Sequence, residues 1–168
     1  CGKHGFKLIV KEMAKEGLAI PLVKRRLKRP ICSACGKIKR YYFNQTAREG
    51  GFNVLGHLTL PVRCINEIRG KDIPFRPHMA QVEEILRILI EKGVGIECNT
   101  NRGNEPLPGA DILRLYRRLG GEIITLGSDA HRPADVGCFI RQRQELLREC
   151  GFRYFTTFEQ GKPRFQAL

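Results

Sequence analysis

The hydrophobic pattern changes period several times between Gly51 and Leu168. Phe52 to Leu55, three apolar residues around Asn53, reads as a short buried strand that breaks at Gly56. "PVRCINEIRGKDIPFRP", residues 61–77, holds Gly70, Pro74 and Pro77 and reads as a loop. From His78 the period becomes helical. Met79, Val82, Ile85, Leu86, Leu89 and Ile90 fall on one face, and Gly93 stops the run. "VGIECNT" is a second short strand. Pro106 and Pro108 open a second helix with Ile112, Leu113, Tyr116 and Leu119 on its buried stripe, ended by Gly120-Gly121. "EIITLG" is a third strand, and Pro133 fits the first turn of a third helix that runs to about Gly151. The last stretch, "RYFTTFEQGKPRFQAL", is β-rich with a turn at Gln160 to Pro163.

Strand alternating with helix in this way predicts an α/β fold with parallel strands and right-handed crossovers. The strands are mainly apolar, as strands covered on both faces tend to be. In such folds the reactive groups collect where strands end and the following loops begin. Three successive strands here end in polar groups: His57; then Asn99, Thr100 and Arg102; then Asp129, His131 and Arg132.

An Asp and a His two residues apart offer a hard oxygen and a borderline nitrogen, a mixture that suits Zn, Mn or Fe. His57 from a neighbouring strand is a candidate third ligand, so His57, Asp129 and His131 form the expected metal set. Arg102 and Arg132 beside them suit a phosphate, which a guanidinium grips with forked hydrogen bonds. A metal beside a phosphate points to hydrolysis. Taken singly, each residue has an ordinary use as well: Asp129 caps a helix, His131 sits in a surface loop, and His78 simply opens a helix. Repetition at three strand ends is what favours chemistry.

Composition changes the picture in one region. The net charge of +13 is concentrated at the start, where residues 1–48 carry 13 Lys and Arg against 2 Glu. The remaining residues are close to neutral. "CGKHG" and "ICSACGK" place Cys1, His4, Cys32 and Cys35 in two close pairs, a spacing that can bind zinc. The run "KRRLKR" beside them would meet nucleic-acid phosphates. Seven irregularly spaced cysteines suit reduced thiols, hence a cytoplasmic protein, better than a disulfide framework. No apolar run approaches the roughly 20 residues that span a bilayer.

From about Lys39 to Leu168 the sequence resembles the PHP superfamily of metal-dependent phosphoesterases, in its histidinol-phosphatase branch. "FNVLGHLTL", "IECNT", "EPLPGADILRLYRRLGGEIITLGSDAHRPADVG" and "GFRYFTTFEQGKP" carry the likeness. The resemblance implies a distorted (β/α)7 barrel with a trinuclear metal centre on its C-terminal rim. It also implies hydrolysis of L-histidinol phosphate, a small phosphate ester, in histidine biosynthesis. His57 matches the histidine of the family's Gly-His motif, and Asp129 and His131 match its last two metal ligands. Asp129 and His131 are thereby also its catalytic candidates, and Arg102, Arg132 and Asn99 those for the substrate. The family's opening H-x-H strand, and the ligands that follow it, have no counterpart in these 168 residues. Thr59 stands where the family has Asp after "GHL". The expected architecture is therefore the C-terminal half of a PHP-type barrel over residues 39–168, preceded by a basic segment, residues 1–38. Its metal site is expected to be incomplete and the chain alone weakly active or inactive. The competing expectation is a non-catalytic protein that binds nucleic acid or a partner through the basic segment.

Overall fold

The computed structural model describes residues 52–69 and 76–168. The chain divides between Phe52 and Asn53 into two units, and the elements below belong to the second. The expected boundary after residue 38, the Cys1, His4, Cys32, Cys35 set and the basic run lie outside the described residues.

Three strands form one parallel sheet in sequence order: β1 (Val54–Leu55), β2 (Gly95–Asn99) and β3 (Ile124–Gly127). Val54 pairs with Gly95, Ile96 with Ile124 and Asn99 with Gly127, so the strands end close together along one edge. Neighbouring strands lie about 4.8 Å apart, which puts the β1 and β3 backbones about 10 Å from each other. Gly95 is required by close packing: a Cβ there would lie 2.4 Å from the carbonyl oxygen of Ile123.

Helix α1 (Leu60–Arg69) occupies the stretch expected to be a loop. The glycine and prolines that suggested a loop, Gly70, Pro74 and Pro77, all lie beyond its last residue, and Pro61 does not oppose it. In the first turn of a helix a proline gives up no hydrogen bond and its φ is already helical. The turn starts when Leu60 N–H donates to His57 O at 2.9 Å. Helix α2 (Met79–Glu91) buries Val82, Leu86 and Leu89, a narrower stripe than expected, with Ile85 left 39% exposed. It ends in a Schellman motif: Val94 N donates to Leu89 O at 2.9 Å and Gly93 N to Ile90 O at 3.0 Å, with Gly93 at φ +65°.

Helix α3 (Ala110–Arg118) buries Ile112, Leu113, Leu115 and Tyr116. The Tyr116 hydroxyl donates to Ile123 O at 3.1 Å, and its ring stacks on Phe152. Helix α4 (Ile140–Glu149) starts later than expected. Pro133–Asp135 makes only a single 3-10 turn. Val136 is then extended and Gly137 left-handed, so the chain leaves the helix and re-enters it at Ile140.

The final stretch folds back on itself at the expected turn and does not extend the parallel sheet. β4 (Tyr154–Glu159) and β5 (Lys162–Ala167) pair with each other, antiparallel. Only Gln160-Gly161 connects them, and two residues cannot make a parallel crossover. The hairpin is fastened to the sheet by a side chain: buried Thr156 accepts from Ile124 N–H at 3.2 Å. No helix among the described residues is long and apolar enough to cross a membrane.

Candidate functional site

Each parallel strand leaves its sheet through a residue with left-handed backbone. After β1 it is His57, φ 32°; after β2, Asn101 and Arg102, φ 47° and 53°; after β3, Asp129, φ 50°. Asn, Asp and His are found there more often than other non-glycine residues, whereas Arg adopts it at a greater cost. Non-glycine residues in sparsely populated backbone regions cluster where surrounding structure over-determines them, often at functional sites.

The β2 end is braced most heavily. Asn99 is 2% exposed. Its Oδ1 accepts from Asn101 N–H at 2.8 Å and its Nδ2 donates to Glu97 Oε2 at 3.3 Å. Both ends of the Asn99 amide, expected to meet substrate, are engaged within the loop and its strand. Thr100 N–H donates to Gly127 O at 2.8 Å, tying the loop to β3. Asn101 Nδ2 donates to Glu105 O at 2.7 Å, and Arg63 of α1 donates to Asn101 Oδ1. From α4, Arg143 Nη2 donates to Thr100 O at 3.2 Å and Asn104 O at 2.5 Å. Arg102 projects from this anchored loop and is exposed.

The β3 end is open to solvent. Asp129, His131 and Arg132 are all exposed. His131 Nδ1 lies 2.7 Å from Asp129 O. A carbonyl only accepts, so Nδ1 carries the proton and Nε2 is the lone-pair nitrogen of the neutral ring. Arg132 Nε donates to Asp135 Oδ2 at 3.2 Å.

Among the described residues, no group of three or more His, Cys, Asp or Glu side chains could hold a metal ion. Two nitrogens and a carboxylate are suitable donors for zinc, but His57, Asp129 and His131 as placed do not fit one. Cys98, on the middle strand, does not replace them. Burial pushes the Cys98 thiol up to about 12, so it stays neutral and non-nucleophilic. A pocket of about 410 Å³ lined by Arg117, Glu122, Phe152, Arg153, Tyr154 and Phe165 includes none of the strand-end residues. Its Arg117 is already engaged by Glu122 and by Gly151 O.

One charged group at the strand ends was not singled out by sequence reasoning. Glu97 sits inside β2 between the fully buried Ile96 and Cys98, and its Oε2 accepts from His57 N–H at 2.9 Å. The available signal was a lone carboxylate in an otherwise apolar parallel strand.

No family model matches the chain. It is 29% identical over 139 residues to a histidinol-phosphatase of Lactococcus lactis, a match covering 81% of this chain and 49% of that protein. It is 30% identical over 106 residues to a probable histidinol-phosphatase of Thermotoga maritima, covering 61% and 43%. A tRNA-5-methyluridine(54) 2-sulfurtransferase of Thermus thermophilus is 28% identical over 180 residues, covering 88% of this chain and 54% of that one. Among solved structures, a histidinol phosphate phosphatase from Lactococcus lactis, complexed with zinc, L-histidinol and phosphate, is 30% identical. It matches 55% of this chain and 36% of its own, with a TM-score of 0.45. The chain spans about half the length of the curated relatives it matches. Over part of its length, the chain is related to histidinol-phosphatases.

Proposed function

We propose that residues 53–168 are the C-terminal part of a phosphomonoesterase of the histidinol-phosphatase kind, with β1 to β3 forming part of a barrel wall. The observation that carries this reading is the left-handed residue at all three parallel strand ends, with His57, Arg102 and Asp129 among them. Arg102 and Arg132 take the phosphoryl oxygens of L-histidinol phosphate. Arg132 is free to do so because an exposed pair such as Arg132–Asp135 costs little to open. His131 presents Nε2 while Asp129 O holds its Nδ1 proton. His57, Asp129 and His131 stand at the strand ends but as placed do not together hold a metal ion, so on this reading a divalent cation would require donors from outside the described residues. Asn99 and Glu97 serve as braces.

The test is phosphate release from L-histidinol phosphate with Zn or Mn added. The 168-residue chain alone should be slow or inactive. Adding the N-terminal half of a histidinol-phosphatase should restore turnover, and Arg132→Ala should then raise KM. Turnover by the complemented chain that is indifferent to Asp129→Asn and Arg132→Ala would reject the assignment.

A second reading concerns the basic segment. The match to the tRNA sulfurtransferase leaves about 20 residues of this chain outside it, so it takes in most of residues 1–48. These hold 13 of the chain's 30 Lys and Arg. On this reading the segment binds tRNA through phosphate contacts, and affinity falls steeply with salt. Absence of tRNA binding at low salt would reject it.

A further inference from the structure

We propose that Glu97 is the positioning residue of the strand-end site: its carboxylate holds His57 in its left-handed backbone conformation and, through Asn99, steadies the loop that carries Arg102. The consequence for catalysis rests on the phosphatase reading above; the geometry does not.

A carboxylate in a buried strand is costly unless its oxygens are hydrogen-bonded. Glu97 lies on the middle strand, and its side chain reaches all three strand ends. From the β1 end, His57 N–H donates to Oε2 at 2.9 Å. From its own strand, Asn99 Nδ2 donates to the same oxygen at 3.3 Å. Toward the β3 end, Oε1 fills the space over Gly127, where a Cβ would lie 2.0 Å from it. Glycine at that position is thus explained by the carboxylate beside it. On the other side, a Cβ at Gly56 would lie 3.4 Å from Oε2.

His57 needs such a partner. Its φ of 32° lies in the sparsely populated left-handed region, where any non-glycine residue is held only by surrounding structure. A charge-assisted hydrogen bond to the His57 N–H is available only while the backbone stays rotated that way. The same oxygen reaches Asn99, whose Oδ1 fixes Asn101 N–H at 2.8 Å, one residue before Arg102. One carboxylate therefore sets the backbone of two candidate site segments that lie 40 residues or more apart in sequence.

The experiment reads the His57 amide by NMR in the isotopically labelled 168-residue chain. In the wild type this proton should be shifted downfield and exchange slowly. Glu97→Ala should move it upfield and speed its exchange by about 10-fold or more, as a lost buried hydrogen bond requires. Glu97→Gln keeps an accepting oxygen and should restore exchange to within about threefold of wild type. Gly127→Ala should displace the carboxylate and reproduce the Glu97→Ala shift with Glu97 still present. Amides of the β4–β5 hairpin should not change in any of the three. An unchanged His57 amide in Glu97→Ala or Gly127→Ala would overturn the proposal, as would Glu97→Gln behaving like Glu97→Ala. Should Glu97→Ala unfold the chain, hairpin amides would exchange as well, and Glu97→Gln and Gly127→Ala decide. None of these readings depends on phosphate release, so the proposal and the phosphatase reading fail separately.

Discussion

The ends of the parallel sheet and the tip of the C-terminal hairpin both use left-handed backbone, for different reasons. At the hairpin, Gln160 and Gly161 have φ of 51° and 76° between the paired residues Glu159 and Lys162. Two such residues in succession make the turn whose twist matches two antiparallel strands. Topology demands the conformation there, and the side chain at position 160 hardly matters. At the sheet, His57, Arg102 and Asp129 each follow a strand that has a long connection ahead of it. A chain with many residues in which to turn need not strain the first. The cost there is instead coupled to side chains that present an imidazole, a guanidinium and a carboxylate on one edge. Positive φ thus serves connectivity in one region and placement of reactive groups in the other.

The comparison presumes that the body of the sheet is a rigid base for its edge. Leu113 of α3 is fully buried. Leu113→Ala should cost about 2–5 kcal/mol of stability through lost transfer energy and the cavity left behind. Urea unfolding would read it. A loss under about 1 kcal/mol would mean the base collapses easily and cannot enforce strain at the edge.

The next largest effect comes at high pH. Burial pushes Cys98 from 9.0 and Tyr116 from 10.0 each up to about 12. Both folded-state values lie above the unfolded ones, so the folded state keeps protons that the unfolded state releases. Their contribution is fully present below pH 9 and is lost as pH rises from there toward 12. The slope is about 1.4 kcal/mol per pH unit for each group within its window. Urea midpoints should fall between pH 9 and 11 and fall less steeply in Cys98→Ala. A flat profile would show that Cys98 and Tyr116 are not sequestered.

The left-handed positions test the comparison directly. Gln160→Gly and Asp129→Gly should each raise stability by about 1 kcal/mol, because glycine removes the steric cost but gives up more chain entropy. Only Asp129→Gly should abolish turnover by the complemented enzyme. If Asp129→Gly is destabilising instead, its side chain supports the fold, and the contrast between edge and hairpin is lost.

Much of this architecture could be read from periodicity. Apolar runs marked the three strands, and the stripe at Val82, Leu86 and Leu89 with Gly93 behind it marked α2. Errors arose where local signals have two meanings. Gly70, Pro74 and Pro77 suggest a loop over 61–77, but they follow the last residue of α1 and do not interrupt it. Pro133 was read as a helix start although Gly137 and Phe139, both at positive φ, interrupt the chain before α4. At the edge, His57, Arg102, Asp129 and Arg132 stood out as polar groups after apolar strands. Glu97 did not, because its partner His57 N–H is 40 positions away and a strand period says nothing about which backbone group a carboxylate will meet. Asn99 was visible as a polar strand end, but its use as a brace depends on Glu97 and Asn101 together.

The smallest expected effect concerns Arg132, the edge residue with the most ordinary present contact. Its side chain is 76% exposed and meets Asp135, which is 22% exposed, across one turn at 3.2 Å. Such a pair gains little in high dielectric, costs side-chain entropy and is screened by salt. Asp135→Asn should therefore change stability by less than about 0.5 kcal/mol. Its effect on ligand binding should be disproportionate, because it frees the Arg132 guanidinium and removes a negative charge from an anion's approach. In the complemented enzyme, orthophosphate should inhibit Asp135→Asn more strongly than wild type, and the difference should shrink as salt is raised. Arg132→Ala should show no further change when Asp135→Asn is added, since the neighbour then acts through a group that is gone. Equal inhibition of wild type and Asp135→Asn would mean that the pair opens freely on its own and that Asp135 sets no threshold for Arg132.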